Sequence, residues 1–138
     1  MPYSLLYVSK TLLEHPKGEA EVAAIVETAN LRNAQLGITG ALISTRSYFA
    51  QVLEGEQPVV EELMRSIDKD PRHMRLKIIR TVEEPRRFTG WSMAYTGYAS
   101  FIDRNIAPLF SSMGDADAQH LALRLISLME EFTRMAPA

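Results

Sequence analysis

Three side chains combine hydrogen-bonding chemistry with positions where the surrounding pattern predicts burial: Tyr7, Asn33 and Gln51. Gln51, for example, lies between Phe49 and Leu53 on one face of a predicted strand. Burying an amide without partners costs roughly 1–3 kcal/mol. Each of the three side chains could be satisfied by neighbouring backbone alone. If they converge between helices and sheet, they instead form a pocket for a planar ligand with a polar edge.

Other chemistries have weaker support in the sequence. The histidines lie far apart and without paired spacing: His15, His73 and His120. The chain has no cysteine, which removes disulfides, thiolate nucleophiles and cysteine-based metal sites. No serine lies in a G-x-S-x-G turn, and neither G-x-G-x-x-G nor the P-loop pattern occurs. We therefore predict no metal site.

Acid–base catalysis would need carboxylates, and four lie close together: Glu54, Glu56, Glu61 and Glu62. Acidic side chains are mostly exposed in folded proteins. We expect this group to be a solvated surface and not a catalytic site.

Composition narrows the classes of partner. The chain has 138 residues, 46% of them hydrophobic, and a formal net charge of −2. Nucleic-acid binders usually carry a clear basic patch, and none is found here, so we predict no nucleic-acid partner. No segment approaches the roughly 18 apolar residues of a membrane span, and the start lacks a signal-peptide pattern. We therefore expect no membrane contact and a cytoplasmic location.

The elements that must position the three polar residues follow from hydrophobic periodicity. Residues Tyr3–Lys10 alternate as a first strand. A helix is predicted from Glu19 to the break at Gly37. Its apolar stripe consists of Val22, Ile25, Val26 and Ala29. Four residues further along this stripe comes Asn33.

The remaining pattern predicts two strands joined as a hairpin, a helix and two more strands. The hairpin joins G-I-T-G-A-L-I-S-T, which starts at Gly37, to the strand of Gln51. A helix follows over roughly 58–68, then strands over 76–82 and 88–95. The order βαββαββ predicts an α+β, ferredoxin-like sheet with two helices on one face and an added fifth strand.

The tail is predicted to be irregular until Asp115, a credible helix N-cap, and then helical to about Arg134. The helix has one apolar stripe: Leu121, Leu125, Leu128, Phe132 and Met135, beside Ile126 and Met129. We expect this stripe to cover the second face of the sheet, although it could equally dock a partner helix.

Several runs of residues together resemble a known family. They are LLYVS from Leu5, RNAQLGITGALI from Arg32, FAQVLEGE from Phe49, DPRH from Asp70 and RRFTGWSM from Arg86. In this order and spacing they resemble the BLUF family, blue-light sensors that use FAD. The resemblance covers about residues 3–96, and the tail resembles the two-helix extension of short, stand-alone members. It implies a photosensor domain over 1–97 and a helical extension over 98–138.

The resemblance also implies roles for individual residues. Tyr7 matches the photoactive tyrosine, and Gln51 the glutamine between it and a non-covalently bound FAD. Asn33 matches the asparagine on the pyrimidine edge of the flavin. Further flavin contacts are implied for Ile25, Arg32, Asp70, Arg72 and His73. Arg32 departs from the asparagine or histidine common in the family. Arg72 and His73 could alternatively be ordinary helix-end charges.

The family's photochemistry ends without net reaction. Light-driven transfer of an electron and a proton from the tyrosine leaves the glutamine amide rotated or tautomerised, and both alternatives stay open. The signal would then pass through Trp91 or Met93, which match the W-x-M pair of the fifth strand, although both could simply pack.

The leading prediction is therefore a photoreceptor that is not an enzyme. A light-insensitive interaction module on the same fold is the first alternative, and a small hydrolase or monooxygenase is a weaker one. No output domain is visible, so the expected partner is an unknown downstream protein, and a homo-oligomer is expected.

Overall fold

The computed structural model describes the backbone of residues 1–12, 17–95, 100–111 and 113–135. Side chains are described for these residues except 17–23, 25, 26, 92–95, 100–102 and 133–135. The predicted boundary between residues 97 and 98 lies outside the described residues.

Seven elements form the sheet and its first two helices, in the predicted βαββαββ order. They are β1 (Tyr3–Thr11), α1 (Lys17–Leu36), β2 (Thr39–Ser44), β3 (Tyr48–Gly55), α2 (Gln57–Asp68), β4 (His73–Glu83) and β5 (Trp91–Tyr95). The sheet order is β4-β1-β3-β2-β5. β5 pairs with β2 in parallel, and the other neighbours are antiparallel. The predicted α+β, ferredoxin-like fold with a fifth strand is confirmed.

The extension continues as α3 (Ser100–Ile106), a 3₁₀ turn (Ala107–Phe110) and α4 (Asp115–Met135). The prediction of an irregular chain up to Asp115 was wrong, because α3 is a short helix without a long apolar stripe. Seven residues make about two turns, too few for periodicity to reveal.

Alternation along the central strands divides the core between the two faces of the sheet. On one face, Leu5, Tyr7 and Leu53 pack with residues of α2. On the other face, β1, β2 and β3 contribute Leu6, Val8, Ala41, Ile43, Ala50 and Val52. Against these pack the side chains of the extension: Leu109, Ala122, Leu125, Ile126 and Met129. The expectation that the tail covers the second face is confirmed.

Two glycines, one directly after α1 and one in β2, shape the entry into β2. Gly37 has φ +68°, the left-handed conformation that commonly ends helices. Gly40 has φ +147°, and a Cβ placed there would lie 1.9 Å from the backbone oxygen of Val52. Only glycine therefore allows β2 to run this close to β3 at Gly40.

Two strands begin at other residues than the sequence predicted. β4 begins at His73, so this residue belongs to a strand and is not a helix-end charge. β5 begins at Trp91 and not at Phe88, because residues 84–90 form a loop. This loop leads directly into Trp91.

Candidate functional site

A cleft between α1, α2 and the sheet brings together most of the predicted site residues. Its lining includes seven of them: Tyr7, Arg32, Gln51, Asp70, Arg72, His73 and Trp91. The remaining walls come from α1, α2 and the sheet: Thr28, Ala29, Leu42, Phe49 and Ile67. The side chains of Ile25 and Met93 lie outside the described residues. Asn33 lines a neighbouring cavity, and Trp91 lines both.

The central strands determine how Tyr7 and Gln51 meet. β1 and β3 are antiparallel neighbours, and Tyr7 is the register partner of Gln51. Directly opposed residues project to the same side of the sheet, within reach of each other. The Gln51 Nε2 donates a hydrogen bond of 2.6 Å to the Tyr7 hydroxyl. The predicted convergence of these two side chains is therefore present in the structure.

The other end of the Gln51 amide contacts Trp91. The indole Nε1 donates a hydrogen bond of 3.1 Å to Gln51 Oε1. An indole nitrogen is only ever a donor, so the amide oxygen must face Trp91. The amide nitrogen must then face Tyr7. The orientation of Gln51 is thus determined by the chemistry of its two neighbours.

Tyr7 is a buried phenol whose proton is firmly held. Burial raises its pKa well above the ordinary 10, and the hydrogen bond from Gln51 only partly offsets this effect. Its hydroxyl accepts from Gln51, so its own proton takes no part in this hydrogen bond. Tyr7 is consequently a neutral donor at physiological pH.

His73 is anchored by both ring nitrogens. Nε2 lies 2.6 Å from the carbonyl oxygen of Ile67, and Nδ1 lies 2.7 Å from the Ser9 hydroxyl. Because a carbonyl only accepts, Nε2 carries a proton. The His73 ring also makes edge contacts with the rings of Tyr7 and Phe49, at 6.3 and 6.2 Å between centroids. His73 therefore presents its ring to the cleft, while both of its ring nitrogens are hydrogen-bonded to protein atoms.

Charged groups lie along the same cleft. Asp70 accepts several hydrogen bonds from Arg72, including one of 2.8 Å from Nε. These bonds lower the pKa of Asp70. Burial lowers the pKa of Arg32, which is half-covered beside them. Two guanidinium groups and one carboxylate give this part of the cleft an excess of positive charge.

Asn33 has an unsatisfied donor. The residue is 0% exposed, and among the described residues no acceptor lies within bonding distance of its Nδ2. Its Oδ1 accepts a long bond of 3.4 Å from Arg32 Nε. A buried amide nitrogen without a partner is costly, so this group is suited to a ligand with an acceptor edge.

Glu54 is not the surface residue that was predicted. It is 1% exposed, and its carboxylate accepts bonds from the Thr39 hydroxyl at 2.8 Å and from the backbone N–H of Arg87 at 2.7 Å. A glutamate at a strand end gives no sequence signal of burial, because its partners here lie up to 34 residues away along the chain.

A match to a family model identifies the family of this chain. The model described as "BLUF: Sensors of blue-light using FAD" matches residues 3–94. The chain belongs to the BLUF family. The resemblance stated from the sequence is confirmed, and this BLUF chain is a blue-light photoreceptor domain that uses a flavin.

Individual relatives agree with this membership. A photoactivated adenylate cyclase subunit beta of Euglena longa is 40% identical over 51% of the BLUF chain. The match spans only 8% of that subunit. Two solved structures are similar over most of their own length. The photo-activated state of BlsA has a TM-score of 0.75, 26% identity and 99% and 97% coverage of the two chains. The dark state of BlrB has a TM-score of 0.69, 29% identity and 92% and 96% coverage.

The BLUF family is one of sensors, and in the Euglena relative the matched segment is part of a cyclase subunit. Within the described part of the chain, none of the helices combines the length and apolarity that a bilayer crossing demands.

Proposed function

We propose that this BLUF chain binds FAD non-covalently in the cleft and converts blue light into a rearrangement of the hydrogen bonds of Gln51. Residues 1–97 would form the sensor, and residues 98–138 would carry the signal to a downstream protein in the cytoplasm, or to further copies of the chain. The observation that carries the proposal is the Tyr7–Gln51–Trp91 chain of hydrogen bonds at the wall of the cleft.

The residues present suit a flavin. The unsatisfied Nδ2 of Asn33 is a donor for a carbonyl of the pyrimidine edge. The adjacent guanidinium of Arg32 favours the same electron-rich edge, and Arg72 and Asp70 offer polar contacts at the cleft. Ala29 and Ile67, with Ile25 proposed beside them, supply the apolar surface that a ring system needs.

A bound flavin supplies absorption of blue light and an excited state that accepts an electron. Tyr7 is the donor in this proposal, since it is buried, neutral and hydrogen-bonded. Loss of an electron to the flavin would make this phenol a strong acid. The Gln51 NH₂ that donates to the phenol oxygen cannot accept its proton, so the amide would have to present its oxygen to Tyr7 for the proton to pass through it. Return of the electron and proton to Tyr7 would leave the amide changed.

The changed amide affects Trp91 for a simple chemical reason. If Gln51 rotates by half a turn, its NH₂ group meets the indole N–H, and two donors face each other. Trp91 must then lose this hydrogen bond and shift. A tautomerised amide alters the donors on both of its sides in the same way. Trp91, with Met93 two residues further along β5, would transmit this change.

A light-dependent absorption measurement on the wild type and one variant tests this function. The purified wild-type chain should be yellow, release FAD and not FMN on denaturation, and shift its absorption to the red under blue light. Tyr7→Phe should keep the flavin and lose the reversible shift. A chain that binds no added flavin, or that binds it without responding to light, would instead support a light-insensitive interaction module.

A further inference from the structure

Glu54 is a buried carboxylate that the proposed photochemistry does not use. It lies three residues after Gln51 on β3, on the opposite face of the sheet, and it is absent from the cleft lining. Its Oε1 accepts from the Thr39 hydroxyl at 2.8 Å and from the Phe88 N–H at 3.3 Å, and its Oε2 accepts from the Arg87 N–H at 2.7 Å. Burying a carboxylate is expensive unless donors surround it, and here three do.

Two of the three donors belong to the loop 84–90, which leads into Trp91. The same loop is fixed at two further points. Arg86 Nη1 donates to the Thr39 hydroxyl at 2.7 Å and to the backbone oxygen of Glu54 at 3.1 Å. The carbonyl of Gly90 accepts from the N–H of Gly40 at 3.0 Å. Every one of these contacts ties the loop to the start of β2 or the end of β3.

The position of Trp91 depends on where this loop ends. Trp91 is the first residue of β5, an edge strand held by β2 alone in the described sheet. Its indole reaches Gln51 from that strand. A shift of the loop at Arg87 and Phe88 would move the start of β5 and lengthen the indole–amide hydrogen bond.

We propose that Glu54 is a positioning residue: its carboxylate anchors the loop 84–90 and thereby holds the Trp91 indole on Gln51. The proposal rests on the proposed function in one respect, namely that the hydrogen bond between Trp91 and Gln51 is the one that light rearranges. The carboxylate is required because both oxygens must accept. In Glu54→Gln one end becomes an NH₂ donor, which faces either the Arg87 N–H or the Thr39 and Phe88 donors.

The single tryptophan of the chain makes a local test possible. The full chain, as purified and kept in the dark, should give one indole N–H signal in a ¹⁵N-correlated NMR spectrum. In Glu54→Gln this signal should shift, and its exchange with solvent should become at least about tenfold faster, as should exchange of the Arg87 and Phe88 amides. Amides of α2, on the opposite face, should keep their exchange rates.

Glu56→Gln is the matched control, because Glu56 is exposed and its side chain makes no capping hydrogen bond. It should leave the indole signal unchanged. Thr39→Val, nearly isosteric, removes one donor to Glu54 and one acceptor of Arg86, and it should move the indole signal in the same direction by less. If Glu54→Gln does not fold, the indole signal of Thr39→Val tests the proposal in its place.

A folded Glu54→Gln whose indole signal and exchange rate stay within about twofold of the wild type would overturn the proposal. So would a folded Thr39→Val that leaves the indole signal unchanged, if Glu54→Gln fails to fold. Neither outcome involves light. A wild-type chain that fails to respond to blue light would contradict the proposed function while leaving the test of Glu54 intact.

Discussion

At the scale of single residues, the site is a set of hydrogen-bond donors with too few acceptors. Asn33 Nδ2 is buried without a partner among the described residues, and Arg32 lies beside it with a guanidinium that burial has partly desolvated. In the absence of a ligand this arrangement costs stability, and an acceptor-rich ligand would recover it. Loss of the Asn33 amide should therefore weaken flavin binding more than it lowers the stability of the flavin-free chain.

Asn33→Ala tests this expectation. Removing a hydrogen bond to a buried amide should weaken flavin binding by about tenfold, because such bonds contribute roughly 1–1.5 kcal/mol. The flavin-free chain should lose less stability than the flavin-bound chain. Flavin titration and denaturant unfolding measure the two effects. Gln35→Ala, at an exposed position on the same helix that lines neither cavity, is the control and should change neither.

The residues that sequence could predict are those that break a pattern. Tyr7, Asn33 and Gln51 are polar at positions where alternation or a helical stripe predicts an apolar residue. Glu54 breaks no rule, since a glutamate at the end of a strand suggests exposure. Its burial depends on the loop 84–90, which folds back over β3. A local sequence pattern carries no information about this long-range contact.

At the scale of elements, the loop 84–90 connects the sheet with the extension. Glu84 accepts a pair of hydrogen bonds from Arg80, at 2.9 and 3.0 Å, and a third from Arg87 Nε at 3.1 Å. Arg87 also donates to Glu130 on α4 at 3.3 Å. Arg80, and then Arg87, lower the pKa of Glu84 to about 2. The loop is thus held from β4 on one side and from α4 on the other.

This network should make a small, pH-dependent contribution to stability. Since the folded-state pKa of Glu84 is about 2 and its ordinary value is 4.5, the contribution is complete above about pH 4.5 and is lost as the pH falls towards 2. Glu84→Gln should reduce the free energy of unfolding by less than about 1 kcal/mol at pH 7.

Urea unfolding at pH 7, 5 and 3 measures the difference in free energy of unfolding between the wild type and Glu84→Gln. The gap between wild type and Glu84→Gln should narrow at pH 3, whereas the neighbouring exposed Glu83→Gln should show no such trend. A gap that widens with acid would contradict the assignment. The sequence predicted a break between the strands over 76–82 and 88–95, but the ion pair between Arg87 and Glu130 depends on tertiary packing.

At the scale of the whole molecule, the extension completes the hydrophobic core. Ala122, Leu125, Ile126 and Met129 of α4 are almost fully buried against β1, β2 and β3. Polar contacts fix the position of this layer, since Gln119 Nε2 donates to the Ile79 carbonyl at 2.9 Å and Lys77 Nζ to the Leu109 carbonyl at 2.8 Å. The helical period of α4 predicted the buried side of the helix, but the most deeply buried row is the one the prediction placed beside the main stripe. Of that stripe, Leu125 is fully buried and Leu121, Leu128 and Phe132 are partly buried. The homo-oligomer remains a prediction.

Leu125→Ala tests whether sheet and extension unfold together. Leu125 is 0% exposed, and truncating it should cost about 2–4 kcal/mol by leaving a cavity. Leu123→Ala on the same helix is the control, since Leu123 is 41% exposed and should cost less than about 0.5 kcal/mol. Denaturant unfolding followed by Trp91 fluorescence reports on the sheet. An unchanged midpoint in Leu125→Ala would mean that the extension is independent of the sensor.

The central claim is that the amide of Gln51, held between Tyr7 and Trp91, is the group that light rearranges. The most direct test is the light-minus-dark absorption difference of Gln51→Leu beside that of the wild type, at equal flavin content. Leucine fills similar space but cannot bridge the two neighbours. We predict a red-shifted difference spectrum that decays in darkness for the wild type, and none for Gln51→Leu. A normal, reversible red shift in Gln51→Leu would contradict the claim.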